Sequence, residues 1–423
     1  MNVDPDKAIP ALFSSRRLLD ILNVLNGAGE ETRIVGGAVR NALIGLSTGD
    51  VDLATTALPE TVIARARAAG FKPVPTGIEH GTVTVVVRGR PFEVTTLRQD
   101  IATDGRHATV RFGRDFDEDA RRRDFTVNAL SVSADRVLHD PVGGLADLKE
   151  GRIRFIGEPA ERIREDYLRI LRFFRFHAAY GEGALDRAGL DAAIAEREGL
   201  GVLSAERIGA EIMKFVITRR AGEIGQEISD AGFFGPVFGG IAYPVLFARL
   251  TAVERTAGDA VLRLGALAVS VREDADRLRT RLRLSNAEHK RLTEMADAHI
   301  AWHNREAVPK ERELQTQLFL AGRAAASDAL VLTHAASGAP PDDPDWLAAA
   351  EFVAKTAEPR LPVTGDDVMA SGRVRGKLVG AALKSLQARW IRAGFPKDPA
   401  IVARLLDDVL SELAPASRAE TPR

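Results

Sequence analysis

The sequence predicts an α+β protein, with a mixed α/β head followed by an all-helical remainder. Three observations carry this reading. Alternating apolar stretches at residues 81–87 and 91–97 flank Arg88-Gly89-Arg90, the signature of a tight turn, and so predict a β-hairpin. Strand signals at 33–35 and 51–54 are interleaved with helical patterns at 38–46 and from Pro59 to Gly70, where proline suits a first helical turn. Beyond Gly157 the apolar period is helical almost throughout.

In chain order, Leu18, Leu19, Leu22 and Leu25 recur at helical spacing in a segment that Gly27 and Gly29 end. The head elements named above follow, and residues 98–119 then lose all period and read as a long polar loop of the functional kind. A short strand is expected near Val137 and Leu138, and a turn over 140–144. Residues 158–179 read as one helix with Ile163, Tyr167, Ile170, Leu171 and Phe174 on its apolar side. Helical patterns at 190–197, 205–218, 221–231, 244–301, 311–336 and 379–393 lead to a last helix and a frayed tail from Ala414.

The totals narrow the class. A chain of 423 residues, 45% hydrophobic and 28% charged, suggests two to four domains with real cores and a well-charged surface. The absence of cysteine excludes disulfides, thiolate zinc sites and a cysteine nucleophile. No signal peptide and no apolar run of membrane-spanning length is visible, so a cytoplasmic protein is expected. With a net charge of −1, any nucleic-acid surface must be a local basic patch.

The chemistry centres on Ile34-Val35-Gly36-Gly37-Ala38-Val39-Arg40 and, shortly after, Gly49-Asp50-Val51-Asp52. With Val51 in a strand, Asp50 and Asp52 share one face, because strand side chains alternate. Paired carboxylates beside glycines that admit a phosphate suit a magnesium–nucleotide site. An isolated Asp-x-Asp is ordinarily a turn; the upstream Gly-Gly step and Arg40 reverse that balance. Gly37 offers backbone N–H groups at a helix start, Arg40 a guanidinium fork, and Glu93 on a neighbouring strand a third carboxylate. Arg123, Asp124 and Asn128 have the chemistry to contact triphosphate and ribose hydroxyls, although taken alone that run reads as a solvated basic turn. Asp166 and Arg169, three apart on a helix, present an acceptor beside a donor. Cytosine and adenine offer the complementary amino donor and ring-nitrogen acceptor; guanine and uracil reverse them and leave polar groups unpaired. On an arbitrary helix the same spacing is a surface salt bridge. His299 and His303, four apart without an acidic or cysteine cluster, read as surface residues.

The order of these motifs resembles the bacterial class II CCA tRNA nucleotidyltransferase/poly(A) polymerase family. The resemblance rests on Gly-Gly-Ala-Val-Arg with Asp-Val-Asp, Phe92-Glu93-Val94-Thr95-Thr96-Leu97-Arg98, Arg-Arg-Asp-Phe-Thr-Val-Asn-Ala-Leu, Glu-Asp-Tyr-Leu-Arg-Ile-Leu-Arg, and Leu203-Ser204-Ala205-Glu206-Arg207-Ile208 with Glu211. Residues 363–368 with Gly376 and Gly380 are similar, more loosely, to the C-terminal part of such enzymes. Asn41 departs from the pattern, since the family often has Asp there. The resemblance implies a polymerase-β-like nucleotidyltransferase head at 1–156, a helical neck selecting the nucleobase at 157–232, and a helical body and tail binding tRNA at 233–423. It implies Mg2+ on Asp50 and Asp52, nucleotide contacts from Gly37, Arg40, Arg123 and Asp124, base templating by Asp166 and Arg169, and further contacts from Arg172 and Arg175. The partners implied are the tRNA 3′ end, ATP and CTP, with no membrane and no protein partner. The activity implied is template-independent CCA addition; A-only addition, poly(A) synthesis and a non-catalytic RNA-binding protein remain open at this point.

Overall fold

The computed structural model describes residues 3–104, 107–254 and 258–413. The chain forms two compact units, Met1–Gly239 with Arg281–Arg283, and Gly240–Thr280 with Leu284–Arg423.

The first unit opens with α1 (Pro5–Leu12) and α2 (Arg16–Leu25), two helices where the period suggested one; Ser15 caps the second through its hydroxyl. Then come β1 (Thr32–Val35), α3 (Gly37–Leu43), β2 (Asp52–Thr55), α4 (Pro59–Ala68), β3 (Lys72–Gly77), β4 (Thr82–Val87) and β5 (Arg90–Thr96). A separate two-stranded hairpin, β6 (Arg98–Asp104) and β7 (His107–Phe112), leads to α5 (Phe116–Arg121), β8 (Ser131–Ser133), β9 (Leu138–His139) and α6 (Gly144–Glu150). The hairpin and α5 replace the expected polar loop. Backbone pairing defines the hairpin, and its sequence has too few apolar residues to show a period. Gly105 and Arg106, at the centre of that expected loop, lie outside the described residues, as does the tail from Ala414.

The main sheet has the order β3-β4-β5-β2-β1-β8-β9, and within it only β2 and β5 run parallel. That parallel pair requires a crossover, which α4, β3 and β4 supply. Ile34, Leu53, Val83, Val85, Phe92 and Val94 are buried, while Asp52 and Glu93 face outward as alternation requires.

The remainder of this unit is helical: α7 (Pro159–Glu165), α8 (Leu168–Tyr180), α9 (Arg187–Ala195), α10 (Ala205–Val216), α11 (Ala221–Asp230) and α12 (Phe234–Phe238). The single helix expected over 158–179 is two, broken at Asp166. There the backbone is extended (φ −158°, ψ 103°), and the Asp166 carboxylate accepts from the Leu168 N–H at 3.1 Å, two residues ahead. A cluster of phenylalanines fastens α8 to the head: Phe125 meets Phe155 at 4.9 Å and Phe176 at 5.2 Å between ring centroids, and Phe155 stacks on Phe173 at 5.4 Å.

The second unit is all helix, with α13 (Pro244–Val253), α14 (Ala260–Ala268), α15 (Arg272–Leu282), α16 (Asn286–Ile300), α17 (Glu311–Ser337, kinked at Gly322), α18 (Pro344–Lys355), α19 (Gly365–Ala370), α20 (Lys377–Arg392) and α21 (Pro399–Leu413). Trp302, Leu318, Leu330 and Trp346 centre one core cluster, and Val368, Leu386 and Val409 another. His299 is buried in this unit, contrary to the surface expectation, and its Nε2 has no hydrogen-bond partner; only His303 is exposed.

Burial, with the nearby His303 charge, pushes the His299 pKa down to about 4 from 6.5. The folded state thus refuses a proton that the unfolded chain takes, and stability present above pH 6.5 is lost as pH falls toward about 4. Urea unfolding at pH 7 and pH 5 is expected to show a loss of about 2 kcal/mol attributable to this residue. His299→Phe should flatten that part of the pH dependence; an unchanged slope would refute the assignment.

Candidate nucleotidyl-transfer site

Gly36 ends β1 and opens α3 with φ 69° and ψ −128°, a conformation that glycine alone adopts readily. A Cβ there would also stand 2.8 Å from an Arg123 guanidinium nitrogen. The glycine thus lets the Arg123 side chain close over the β1–α3 turn. Beside this turn lies a cleft of about 540 Å3, and it gathers ten of the twelve residues singled out from sequence.

One wall is acidic. Asp52 opens β2 and Glu93 lies on β5 as its partner in the parallel register. The strand starts at Asp52, one residue later than expected, so Asp50 precedes it and stands outside the cleft lining. Val51 is nevertheless buried while Asp50 and Asp52 are exposed, so the alternation reaches back past the strand end. Burial raises the Asp52 pKa, and the negative charges of Glu93 and Asp50 add to it; Arg123 offsets part of this. Among the described residues none of these three carboxylates has a hydrogen-bond or ion-pair partner.

The opposite wall is a chain of charge-assisted hydrogen bonds. Arg40 is buried at 5% exposure, lies 3.8 Å from the centre of the Tyr180 ring, and donates to the Asn128 side-chain oxygen. It also donates to the Asn41 amide oxygen at 2.9 Å, so asparagine keeps an acceptor where the family often has aspartate. Asn128 in turn donates to Asp124 at 2.9 Å, and Asp124 accepts from Arg172 Nε at 2.8 Å and from the Phe125 N–H at 2.9 Å. Burial alone would raise the Asp124 carboxyl; the Arg172 charge and these hydrogen bonds override it and hold the pKa below the ordinary carboxylate value. Arg123 donates to the Asn128 carbonyl at 3.2 Å and to Asp119 at 3.3 Å.

Asp166 and Arg169 both line the cleft but do not pair with each other. Asp166 accepts from Arg207 on α10 at 2.7 Å. Arg169 donates to Glu165 at 2.6 Å and to the Arg162 carbonyl at 2.7 Å. The surface salt bridge that their spacing alone suggests is therefore not made. Arg175 stands behind the lining, donating to buried Glu211 at 2.5 Å and lying 4.4 Å from the Phe176 ring centre. Sequence reasoning missed Asp119, Arg122 and Phe176 in the lining. Asp119 precedes Arg123 by four residues, a spacing that makes neighbours on a helix, but the stretch before it carries no apolar period to announce one.

A mixed sheet with unpaired carboxylates on adjacent parallel strands, facing a nest of arginines in one cleft, defines a nucleotidyltransferase. Residues 32–154 match the family model described as the Poly A polymerase head domain. The mitochondrial CCA tRNA nucleotidyltransferase 1 of Mus musculus is 33% identical over 374 residues, covering 86% of this chain and 84% of that one. A CCA-adding enzyme of Limosilactobacillus fermentum is 31% identical over 409 residues, 93% of this chain and 96% of its own. The crystal structure of the Bacillus stearothermophilus CCA-adding enzyme in complex with CTP superposes with a TM-score of 0.75 at 29% identity, over 94% of this chain and 98% of that one. The chain belongs to the family of CCA-adding enzymes, the CCA tRNA nucleotidyltransferases.

The Asp124–Arg172 pair yields a pH test. Because the folded pKa is depressed, its contribution is full above the ordinary carboxylate value of 3.8 and is lost as pH falls through the lower folded value. Asp124→Asn is expected to lower the urea midpoint most at neutral pH, with the difference from the unmodified chain shrinking below about pH 4. A difference independent of pH would show that the pair is not what the variant removes.

Proposed function

We infer that this chain adds C, C and A to the 3′ end of tRNA from CTP and ATP, without a nucleic-acid template, releasing pyrophosphate at each addition. The observation that carries the reading is the single cleft in which Asp52 and Glu93 face Arg123, Asp124 and Arg172, with Asp166 and Arg169 on the same lining. Its relatives are named for CCA addition, which favours that product over A-only addition or poly(A) synthesis. The intact carboxylates speak against a non-catalytic RNA-binding protein.

A divalent cation, Mg2+ by the preference of that ion for hard oxygen ligands, neutralises triphosphate oxygens and sharpens the attacking hydroxyl when bound. The donor set fits: Asp50, Asp52 and Glu93 are unpaired carboxylates, and Asp50 and Asp52 would hold the ion. Among the described residues no group of three or more His, Cys, Asp or Glu side chains converges as a metal site. Arg40 and Arg123, with the start of α3 at Gly37, would receive the triphosphate; Asp124 and Asn128 would accept and donate toward ribose hydroxyls. Held this way, the α-phosphate lies open to in-line attack by the RNA 3′ oxygen, with pyrophosphate retained by the arginines until the bond breaks. Asp166 would accept the amino group of C or A and Arg169 would donate to the ring nitrogen; G and U would leave both unpaired. Arg172 fixes Asp124, and Arg175 supports the same helix from behind.

In this reading residues 1–156 are the catalytic head, 157–232 the base-selecting neck, and 233–423 the part that holds tRNA. A cytoplasmic location accompanies it. Among the described residues no helix is long and apolar enough to cross a membrane.

The test offers labelled CTP, ATP, UTP and GTP separately to tRNA lacking CCA, lacking only the A, or intact. Addition of C, C and then one A supports the reading; long A tails on any RNA, or A addition to the nearly complete tRNA alone, would sink it. Asp52→Ala should reduce incorporation of every nucleotide by at least about a thousandfold, because the cation it would hold neutralises the triphosphate charge. Asp166→Ala should admit UTP and GTP, and undiminished discrimination would remove its templating role.

A further inference from the structure

Arg162 has no part in the scheme above, yet its side chain ties the Arg122-Arg123 backbone to Glu165, a partner of Arg169. It lies on α7 with its side chain 12% exposed. One terminal nitrogen donates to the Glu165 carboxylate at 2.6 Å. The other donates to the carbonyl of Arg123 at 2.7 Å and to that of Arg122. Its Nε is buried without a partner. Arg162 also offers its own carbonyl to Arg169 at 2.7 Å, and Glu165 accepts from the same Arg169 nitrogen at 2.6 Å. Both acceptors that orient Arg169 are thus set by Arg162: one belongs to its backbone and the other is its ion-pair partner.

We propose that Arg162 is a positioning residue for nucleotide discrimination, holding the base-facing Arg169 and the backbone of Arg122-Arg123 in one frame. The inference rests on the base-reading role of Asp166 and Arg169 proposed above. Its logic is geometric. The triphosphate and ribose are fixed by the Arg123-Asp124 segment, and the base by the neck, so selectivity requires the distance between the two to be constant. A planar guanidinium spans a carboxylate on one side and two carbonyls on the other, whereas an ammonium places all its donors on one atom. Leaving Nε unpaired costs stability, a cost tolerated here while both terminal nitrogens are fully used.

Arg162→Lys in the full-length chain keeps the charge and removes the span. The readout is the ratio of kcat/KM for CTP over UTP at the C positions and for ATP over GTP at the A position, with the urea midpoint measured alongside. The expected result is a ratio reduced by about tenfold or more with the folded state retained, since a small misplacement at a reading site is costly. A uniform loss across all four nucleotides, or no change, would overturn the proposal and leave Arg162 a structural tie. Should Arg162→Lys fail to fold, Glu165→Gln provides the second reading: a lowered ratio supports the frame, an unchanged one overturns it. Arg169→Ala run in parallel separates the two levels. If it relaxes selection and Arg162→Lys does not, only the frame falls; if it leaves selection intact, the base-reading role falls and the frame with it.

Discussion

The carboxylate of Asp124 is the contact on which the cleft depends. It is buried, and a buried carboxylate survives as an anion only when donors surround it. Asn128, Arg172 and the Phe125 N–H provide them, and each partner belongs to a different piece of the site. Through Asn128 the charge reaches Arg40 on α3, and through Arg172 it reaches α8. Remove the carboxylate and two buried guanidinium-bearing elements lose the anion that fixes them. The phenylalanines around Phe125 and Phe173 hold the same elements together without direction; the charge chain supplies the register.

The acidic wall is built by a different device. Asp52 and Glu93 are distant in sequence, yet the parallel pairing of β2 with β5 sets them in register. Among the described residues neither has a hydrogen-bond or ion-pair partner, although the Arg123 charge reaches Asp52, whereas Asp119, Asp124 and Asp166 each have an arginine. The contrast separates the paired charges, which build the walls, from Asp52 and Glu93, which in the proposed reading would face a bound cation.

Much of this was legible in the chain. The strands and helices around Gly36-Gly37 and Asp50-Val51-Asp52 carried strong periods, and ten of the twelve residues singled out from sequence line one cleft. Three features escaped for physical reasons. The β6–β7 hairpin is held by backbone pairing in a polar stretch, so hydrophobic alternation gave no signal. The break at Asp166 is a local side-chain-to-backbone bond competing with helix continuation, and residues on either side keep helical spacing regardless. The burial of His299 depends on tertiary packing in the helical unit, which a four-residue spacing cannot report.

The same break has a consequence for how a base is read. Asp166 and Arg169 are not idle in the ligand-free protein: one is engaged by Arg207, the other by Glu165 and the Arg162 carbonyl. In the proposed reading, a base presented there would be weighed against resident partners rather than against water. A complementary edge exchanges one hydrogen bond for another at little net cost, while a mismatched edge would evict a partner and return nothing. Selection of this sort would need no second site, because the protein's own side chains would be the standing competitor.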